Sequence, residues 1–276
     1  MPAVHSLWTG KGIEIIMTIL NEIAAKTKER VAQLKQEKPL EQIREKALAM
    51  NSDTGFPFEK AIAAPGLSFI CEVKKASPSK GVIAEEFPYI EIAGDYEKGG
   101  ARAISVLTEP YWFQGSDTYL KEIREAVSIP IIRKDFVVDE FMIYEAKLMG
   151  ADAVLLIAAA LRKEQCSMLA AKAHELKLEV LLEIHSEQEL EYIEDNIDMV
   201  GVNNRNLGTF HTDVENSFRL AEKLPKEMLL VSESGISSPQ TVRQLRAAGF
   251  RGFLIGENFM KTPQPGNALK EFISKL

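Results

Sequence analysis

Ile70-Cys71-Glu72-Val73-Lys74-Lys75-Ala76-Ser77-Pro78-Ser79-Lys80-Gly81 sets an acid and an amine at the end of an apolar run that begins at Leu67. The run reads as a buried strand. Residues two apart in a strand point to the same face, so Glu72 and Lys74 project together. Charged side chains are rarely buried unless they are paired or working. The Ser77-Pro78-Ser79-Lys80-Gly81 loop that follows is short, polar and suited to holding an anion. Such a strand end has a natural place at the mouth of a barrel, where one face lines a pocket.

The same kind of unit recurs along the chain. Short β-rich apolar runs start near residues 68, 102, 129, 152, 178, 198, 228 and 250, at intervals of roughly 20 to 34 residues. Helical patterns fill the intervals: Tyr119–Ala126, Phe141–Met149, Lys163–Leu176, Glu187–Asn196, Val214–Leu224 and Pro239–Ala248. Gly-Gly-Ala-Arg-Ala (99–103), Gly-Ala-Asp-Ala (150–153) and Gly-Phe-Arg-Gly (249–252) repeat one type of helix-to-strand turn, with Gly as the left-handed cap. Eight strand–helix units without a linker predict an α/β fold, a (β/α)8 TIM barrel. A doubly wound open sheet is the alternative, but the first strand lacks the Gly-rich phosphate fingerprint that such a sheet carries.

Two amphipathic segments, 18–37 and 39–50, precede the first strand and form an N-terminal helical extension, with Pro39 suited to a first helical turn. Residues 1–16 differ in character and are read as a non-core extension. They lack the features of a secretory signal. Residues 17–276 then form one barrel domain that includes the helices over 18–50.

The chain has 276 residues, 46% hydrophobic and 26% charged, and a net charge of −7. This is the composition of a globular domain. The acidic balance disfavours nucleic-acid or anionic-membrane partners, so an anionic substrate would need a local cluster of cations. Cys71 and Cys166 have no metal-ligand spacing and fit a reduced, cytoplasmic protein.

Barrel chemistry gathers at the C-terminal ends of the strands. Those ends read Glu72 and Lys74; Thr108-Glu109; Arg133-Lys134-Asp135-Phe136; Leu155-Leu156-Ile157; Glu183-Ile184-His185; Asn203-Asn204-Arg205-Asn206-Leu207; Ser232-Glu233-Ser234-Gly235; and Gly256-Glu257-Asn258. Arg133 alternates away from Lys134 and is expected to face the helices or a pairing partner. The four histidines share no metal or triad spacing, and His185, the one at a strand end, is expected beside the site or at the surface. The loops at Ser234-Gly235-Ile236-Ser237 and Gly256-Glu257-Asn258 have the character of a barrel phosphate site.

Together these motifs resemble the indole-3-glycerol-phosphate synthase family. They are Glu72-Val-Lys74-Lys-Ala-Ser77-Pro78-Ser79, Leu107-Thr108-Glu109 with Phe113-Gln-Gly115-Ser116, Arg133-Lys134-Asp135-Phe136, Leu182-Glu183-Ile-His185, Gly201-Val-Asn203-Asn-Arg205-Asn-Leu207 and Ser232-Glu233-Ser234-Gly235-Ile236. The resemblance runs from about Ile19 to the C-terminus and includes the helical extension. It implies ring closure of 1-(2-carboxyphenylamino)-1-deoxyribulose 5-phosphate with loss of CO2 and water, without metal or redox cofactor and without an obligatory protein partner. It assigns Lys134 as general acid, with a pKa lowered by burial and a neighbouring cation, and Glu183 as the acid/base partner in dehydration. Lys74 would clamp the substrate carboxylate or share the acid role. Glu72 would orient the lysines, Asn203 and Ser234 would bond the developing hydroxyl, and Glu233 would tune the network. Phe136 and Leu207 would pack the aromatic ring. Ser77 and the amides of Gly235, Gly256 and Glu257 would hold the phosphate, with the Glu257 carboxylate turned away from it. Arg205 would touch substrate or brace Glu233.

Two other functions fit the residues. One is a Schiff-base aldolase using Lys134 or Lys74. The other is a barrel that binds a phosphorylated metabolite without chemistry, although a binder has little use for so many ionisable groups.

Overall fold

The computed structural model describes residues 11–50, 55, 57–207 and 209–276. Eight parallel strands close into a barrel: β1 (Ser68–Val73), β2 (Ala103–Leu107), β3 (Ile131–Lys134), β4 (Ala153–Ile157), β5 (Glu179–Ile184), β6 (Met199–Asn203), β7 (Leu229–Glu233) and β8 (Gly252–Ile255). Each pairs with its sequence neighbour, and β1 closes onto β8 through Ser68↔Gly252 to Cys71↔Ile255. Strands of a closed parallel barrel are covered on both faces, which is why their residues are almost all buried and read as apolar runs. The expected helices appear at Asp117–Ala126, Glu140–Met149, Lys163–Glu175, Glu215–Ala221 and Pro239–Ala247.

The exception is the segment read as a helix over Glu187–Asn196, which forms only a 3-10 turn over Glu187–Tyr192. Its Glu189 bends back to accept the backbone N–H of His185 at 2.6 Å. Helices Tyr89–Gly99 and Glu140–Met149 end on Gly100 and Gly150, both left-handed, with φ 100° and 83°. There a side chain would be strained.

Among the described residues, three helices precede the barrel: α1 (Lys11–Glu37), α2 (Leu40–Ala49) and α3 (Pro57–Ala63). The helix therefore starts ahead of Met17, and residues 1–10 of the expected extension lie outside the described residues. α3 plugs the barrel's N-terminal end. Its Phe58 and Ile62 are fully buried beneath the inward-facing Ile70, Leu181 and Val231, and burying such a side chain contributes about 1.5–3 kcal/mol. The plug is fixed by polar contacts as well. Glu179 accepts the Phe58 and Glu59 amides at 2.9 and 2.6 Å, and Ser68 Oγ donates to the Ile62 carbonyl at 2.9 Å.

α1 lies over the opposite end. Arg30 grips Asp135, just past β3, with one guanidinium nitrogen 3.0 and 2.9 Å from the two carboxylate oxygens. Lys35 holds Asp139 at 2.7 Å. Thus the barrel floor is sealed by apolar packing and the mouth is partly roofed by a helix held on charge.

Candidate active site

The mouth encloses a cavity of about 540 Å3. Its floor is a layer of ionisable groups, and each comes from a strand's inward face. Glu72 on β1 and Lys74, just past the strand's end, form an ion pair. Lys134, the last residue of β3, reaches across with Nζ 3.3 Å from Glu183 Oε2 and 3.5 Å from Glu233 Oε2. The space for two of these carboxylates is made by missing side chains. A methyl group at Gly201 would lie 2.2 Å from Glu233 Oε1, and one at Gly256 would lie 2.5 Å from Glu72 Oε1.

Three carboxylates around two ammonium groups set the charge states. Burial would lower the pKa of Lys134, but Glu183, Glu233 and Glu72 outweigh it and hold the amine above the ordinary lysine range. Burial would raise Glu183, yet Lys134 and the His185 ring pull it well below the usual carboxylate value. Glu72 is also lowered, with burial opposed by Lys74 and Lys134. Glu233 goes the other way. Burial, against the pull of Lys134 and with the repulsion of Glu183 and Glu72, pushes it up to about 8. Two acids sharing one ammonium divide its charge unequally: Glu183 keeps the anion and Glu233 keeps a proton.

The rim is polar on one side. Arg205 Nη1 donates to Ser79 Oγ at 2.6 Å, and its Nη2 lies 3.3 Å from Glu257 Oε2. Lys80 stands 3.8 Å from the other Glu257 oxygen. The loop after β7 turns through successive left-handed residues, Ser234 and Gly235, with φ 66° and 74°. This turn is secured from below by Asn204, whose Nδ2 donates to Ser232 Oγ and to the Ser234 carbonyl, both at 3.1 Å. Asn204 Oδ1 in turn accepts from Ser217 Oγ at 2.8 Å. Asn203 Oδ1 accepts the Arg205 amide at 2.9 Å, and its side chain helps hold Glu183 low.

The other side is apolar. Phe113 and Phe136 stand with ring centroids 6.1 Å apart, and Leu207 joins them. Ile19, Leu20 and Ile23 of α1 complete the roof. The cavity thus sets an apolar, partly aromatic wall opposite an ion cluster, with cations at the polar rim.

Comparison with known proteins matches residues 20–272 to the family model described as indole-3-glycerol phosphate synthase. The chain belongs to the indole-3-glycerol phosphate synthase family. A relative of that name from Bacteroides thetaiotaomicron is 54% identical over 258 residues, covering 94% of this chain and 98% of the relative. Another, from Ruminiclostridium cellulolyticum, is 50% identical over 252 residues, covering 91% and 97%. Among solved structures, 3-hexulose-6-phosphate synthase from Salmonella typhimurium aligns with a TM-score of 0.60 at 13% identity, covering 76% of this chain and 99% of that one. KGPDC from Streptococcus mutans gives 0.58 at 13%, covering 76% and 96%. At such identities the two structures share only the barrel.

The synthase-family motifs meet at this one cavity. All of the candidate residues line it, from Glu72, Lys74 and Ser77 through Lys134, Phe136, Glu183, Asn203, Arg205 and Leu207 to Glu233, Ser234, Gly235, Gly256 and Glu257. Two expectations are corrected. Arg205 does not brace Glu233; it pairs with Glu257, because the loop after β6 carries it to the rim while Glu233 sinks to the floor over Gly201. Lys134 has its pKa raised rather than lowered, because carboxylates and not a cation are its nearest neighbours.

Arg133 points out of the barrel, with contacts to Asp117 at 3.1 Å and the Met142 carbonyl at 2.8 Å. Glu109 is wholly buried and accepts the amides of Tyr111, Trp112 and Phe113, so it shapes the loop that presents Phe113. The sequence reading missed the α1 roof. Ile19, Leu20 and Ile23 carry an ordinary amphipathic stripe, which does not tell a site wall from core.

Proposed function

We propose that this protein closes the indole ring, converting 1-(2-carboxyphenylamino)-1-deoxyribulose 5-phosphate to indole-3-glycerol phosphate with release of CO2 and water. The observation that carries the reading is the Lys134 ammonium held 3.3 and 3.5 Å from Glu183 and Glu233, between a polar rim and an aromatic wall. Family membership supports it.

The roles follow from the charge states. Lys134, kept fully protonated, donates to the ketone oxygen as the ring carbon attacks. The newly formed alkoxide is a stronger base than a carboxylate, so proton release from Lys134 becomes favourable only when that charge appears. Lys74 clamps the substrate carboxylate until CO2 leaves, and Glu72 fixes the lysine's position.

Glu183, held anionic, takes the ring-amine proton during dehydration. Glu233 retains a proton near neutral pH and lies against Lys134, placed to restore the ammonium, which then protonates the departing hydroxyl so that it leaves as water. Asn203 and Ser234 bond the departing hydroxyl, and Phe136, Leu207 and Phe113 pack the aromatic ring. Ser77 with the amides of Gly235, Gly256 and Glu257 holds the phosphate, and Arg205 and Lys80 supply charge beside it.

A Schiff-base mechanism needs a neutral amine, and the carboxylates around Lys134 oppose one. Cytoplasmic residence is the accompanying reading, in keeping with two buried cysteines that carry no disulfide.

The test is incubation with the carboxyphenylamino deoxyribulose phosphate while following indole fluorescence. Folded protein without signal would refute the proposal. Lys134→Ala should lose kcat by at least about a hundredfold with a smaller change in KM. Equal loss in both would reduce Lys134 to a positioning residue. A borohydride-trapped lysine adduct would favour the aldolase.

A further inference from the structure

Behind Glu183, on the side away from the cavity, lies a histidine that the mechanism above does not use. His185 follows Glu183 by two residues at the end of β5 and is not part of the cavity wall. Its Nε2 is 3.3 Å from Glu183 Oε1, and its Nδ1 is 3.6 Å from Glu189 Oε2. The backbone is fixed at the same point. The His185 N–H donates to Glu189 Oε2 at 2.6 Å, and its carbonyl accepts from Asn216 Nδ2 at 3.2 Å. Both ring nitrogens are buried, and neither meets hydrogen-bond geometry. Charge on either side, rather than a directed hydrogen bond, therefore holds the ring.

We infer that His185 is a positioning residue for Glu183: wedged against Glu189, its ring holds the Oε1 end of the Glu183 carboxylate so that the Oε2 end faces Lys134. This rests on the reading of Glu183 as the acid/base partner. The Glu183 carboxylate is thus gripped from both sides, by Lys134 in the cavity and by His185 behind it.

A neutral space-filling ring would not account for Glu189. Glu183 has the Lys134 ammonium on its other oxygen, but Glu189, largely buried against an uncharged imidazole, would face no counter-charge, whereas an imidazolium faces both carboxylates. The remaining groups agree. The charged side chains facing this corner are Glu183 on β5, Glu189 on the 3-10 turn and, beyond Glu183, Lys134 on β3 and Glu233 on β7; Asn216 and Asn203 add only neutral dipoles. Burial would lower the ring's pKa, but Glu183 and Glu189 raise it to about 9, so near neutral pH the ring is charged while Glu183 is anionic.

His185→Gln keeps size and polarity but removes the charge. It should lower kcat about tenfold, with KM within about twofold because the ring does not touch the cavity. Loss of the rear cation lets the Glu183 carboxyl hold its proton more tightly, so the acidic limb of the kcat profile should move up by about one pH unit. His185→Lys, which returns a cation, should move that limb back. Unchanged kcat and an unmoved acidic limb in His185→Gln would overturn the inference. So would a lower kcat with an unmoved limb, since a merely structural ring gives that pattern.

Glu183→Gln, assayed alongside, separates the two readings. Near-normal turnover would refute the role of Glu183 itself and the inference built on it. An inactive Glu183→Gln beside a normal His185→Gln would refute His185 alone. Should His185→Gln fail to fold, nitrogen-15 spectra of wild-type histidines decide: an imidazolium at about pH 7.5 supports the wedge, and a neutral ring overturns it.

Discussion

Gly201→Ala tests the geometry of the ion cluster from beneath. Gly201 lies on β6 opposite Glu183 of β5, one inward layer below Asn203. A methyl group there would sit 2.2 Å from Glu233 Oε1 and 3.4 Å from Leu181 Cδ1. The carboxyl must withdraw by about an ångström to restore van der Waals contact, and it is 1% exposed with little room to move. Overpacking of this kind costs about 1–3 kcal/mol. Lengthening the Lys134–Glu233 separation from 3.5 Å by an ångström loses at most about 1 kcal/mol at an effective dielectric near 20. The realised loss is smaller, because Glu233 is protonated part of the time.

A total of about 2–3 kcal/mol should lower Tm by about 5–10 °C in a chain of this size. The same displacement takes Glu233 off Lys134, so kcat should fall about tenfold with little change in KM. Thermal melts followed by circular dichroism and initial rates from indole fluorescence measure both. Glu233→Asp shortens the acid by one carbon, and Gly201→Ala combined with Glu233→Asp should melt well above Gly201→Ala alone. The reasoning fails if Gly201→Ala matches wild type in Tm and kcat, or if the aspartate gives no relief. A double-mutant cycle on the four proteins isolates the coupling.

Two further outcomes are expected. Glu257→Gln removes the anion that occupies Arg205 and Lys80 at the rim. Inorganic phosphate should then bind about threefold tighter by calorimetry, a modest gain because the pair is partly exposed, and unaltered affinity would detach Glu257 from the phosphate end. At the barrel floor, burial raises Glu179 to about 7 despite the Phe58 and Glu59 amides it accepts. An acid raised on folding stabilises most below its unfolded pKa and loses that contribution as pH rises through the folded value. The Tm of wild type should therefore fall relative to Glu179→Gln between about pH 4.5 and 7.5, and a constant difference would show that Glu179 does not titrate there.

Much of the barrel and of the site's membership could be read from the chain. Strand ends are local features: Glu72 and Lys74 sit two apart after an apolar run, and that alone puts both on one face. Eight such ends in one repeating order bring Lys134, Glu183, Asn203 and Glu233 to a common layer. What was not legible depends on partners distant in sequence. The sign of the Lys134 shift is set by Glu183 and Glu233, on other strands. Sequence alone pairs Arg205 with the wrong acid because two glutamates, Glu233 at the end of β7 and Glu257 just past β8, lie at neighbouring strand ends, and only the depth of each below the rim tells them apart. The roles of Gly201 and Gly256 as hollows for carboxylates have no sequence signal beyond the glycine itself.

The ion cluster also has a history-like division along the chain. Glu72, Lys74 and Lys134 come from β1 to β3, whereas Glu183, His185 and Glu233 come from β5 to β7. The first set carries surplus positive charge, and the second carries surplus negative charge once Glu189, paired with His185, is counted with it. Both anchors of α1, Asp135 and Asp139, belong to the first half as well. Cut in the connection between β4 and β5, the barrel would yield two pieces whose unsatisfied charges are complementary at the mouth. The groups assigned to the chemistry are therefore also the electrostatic seam by which the two halves would find their register.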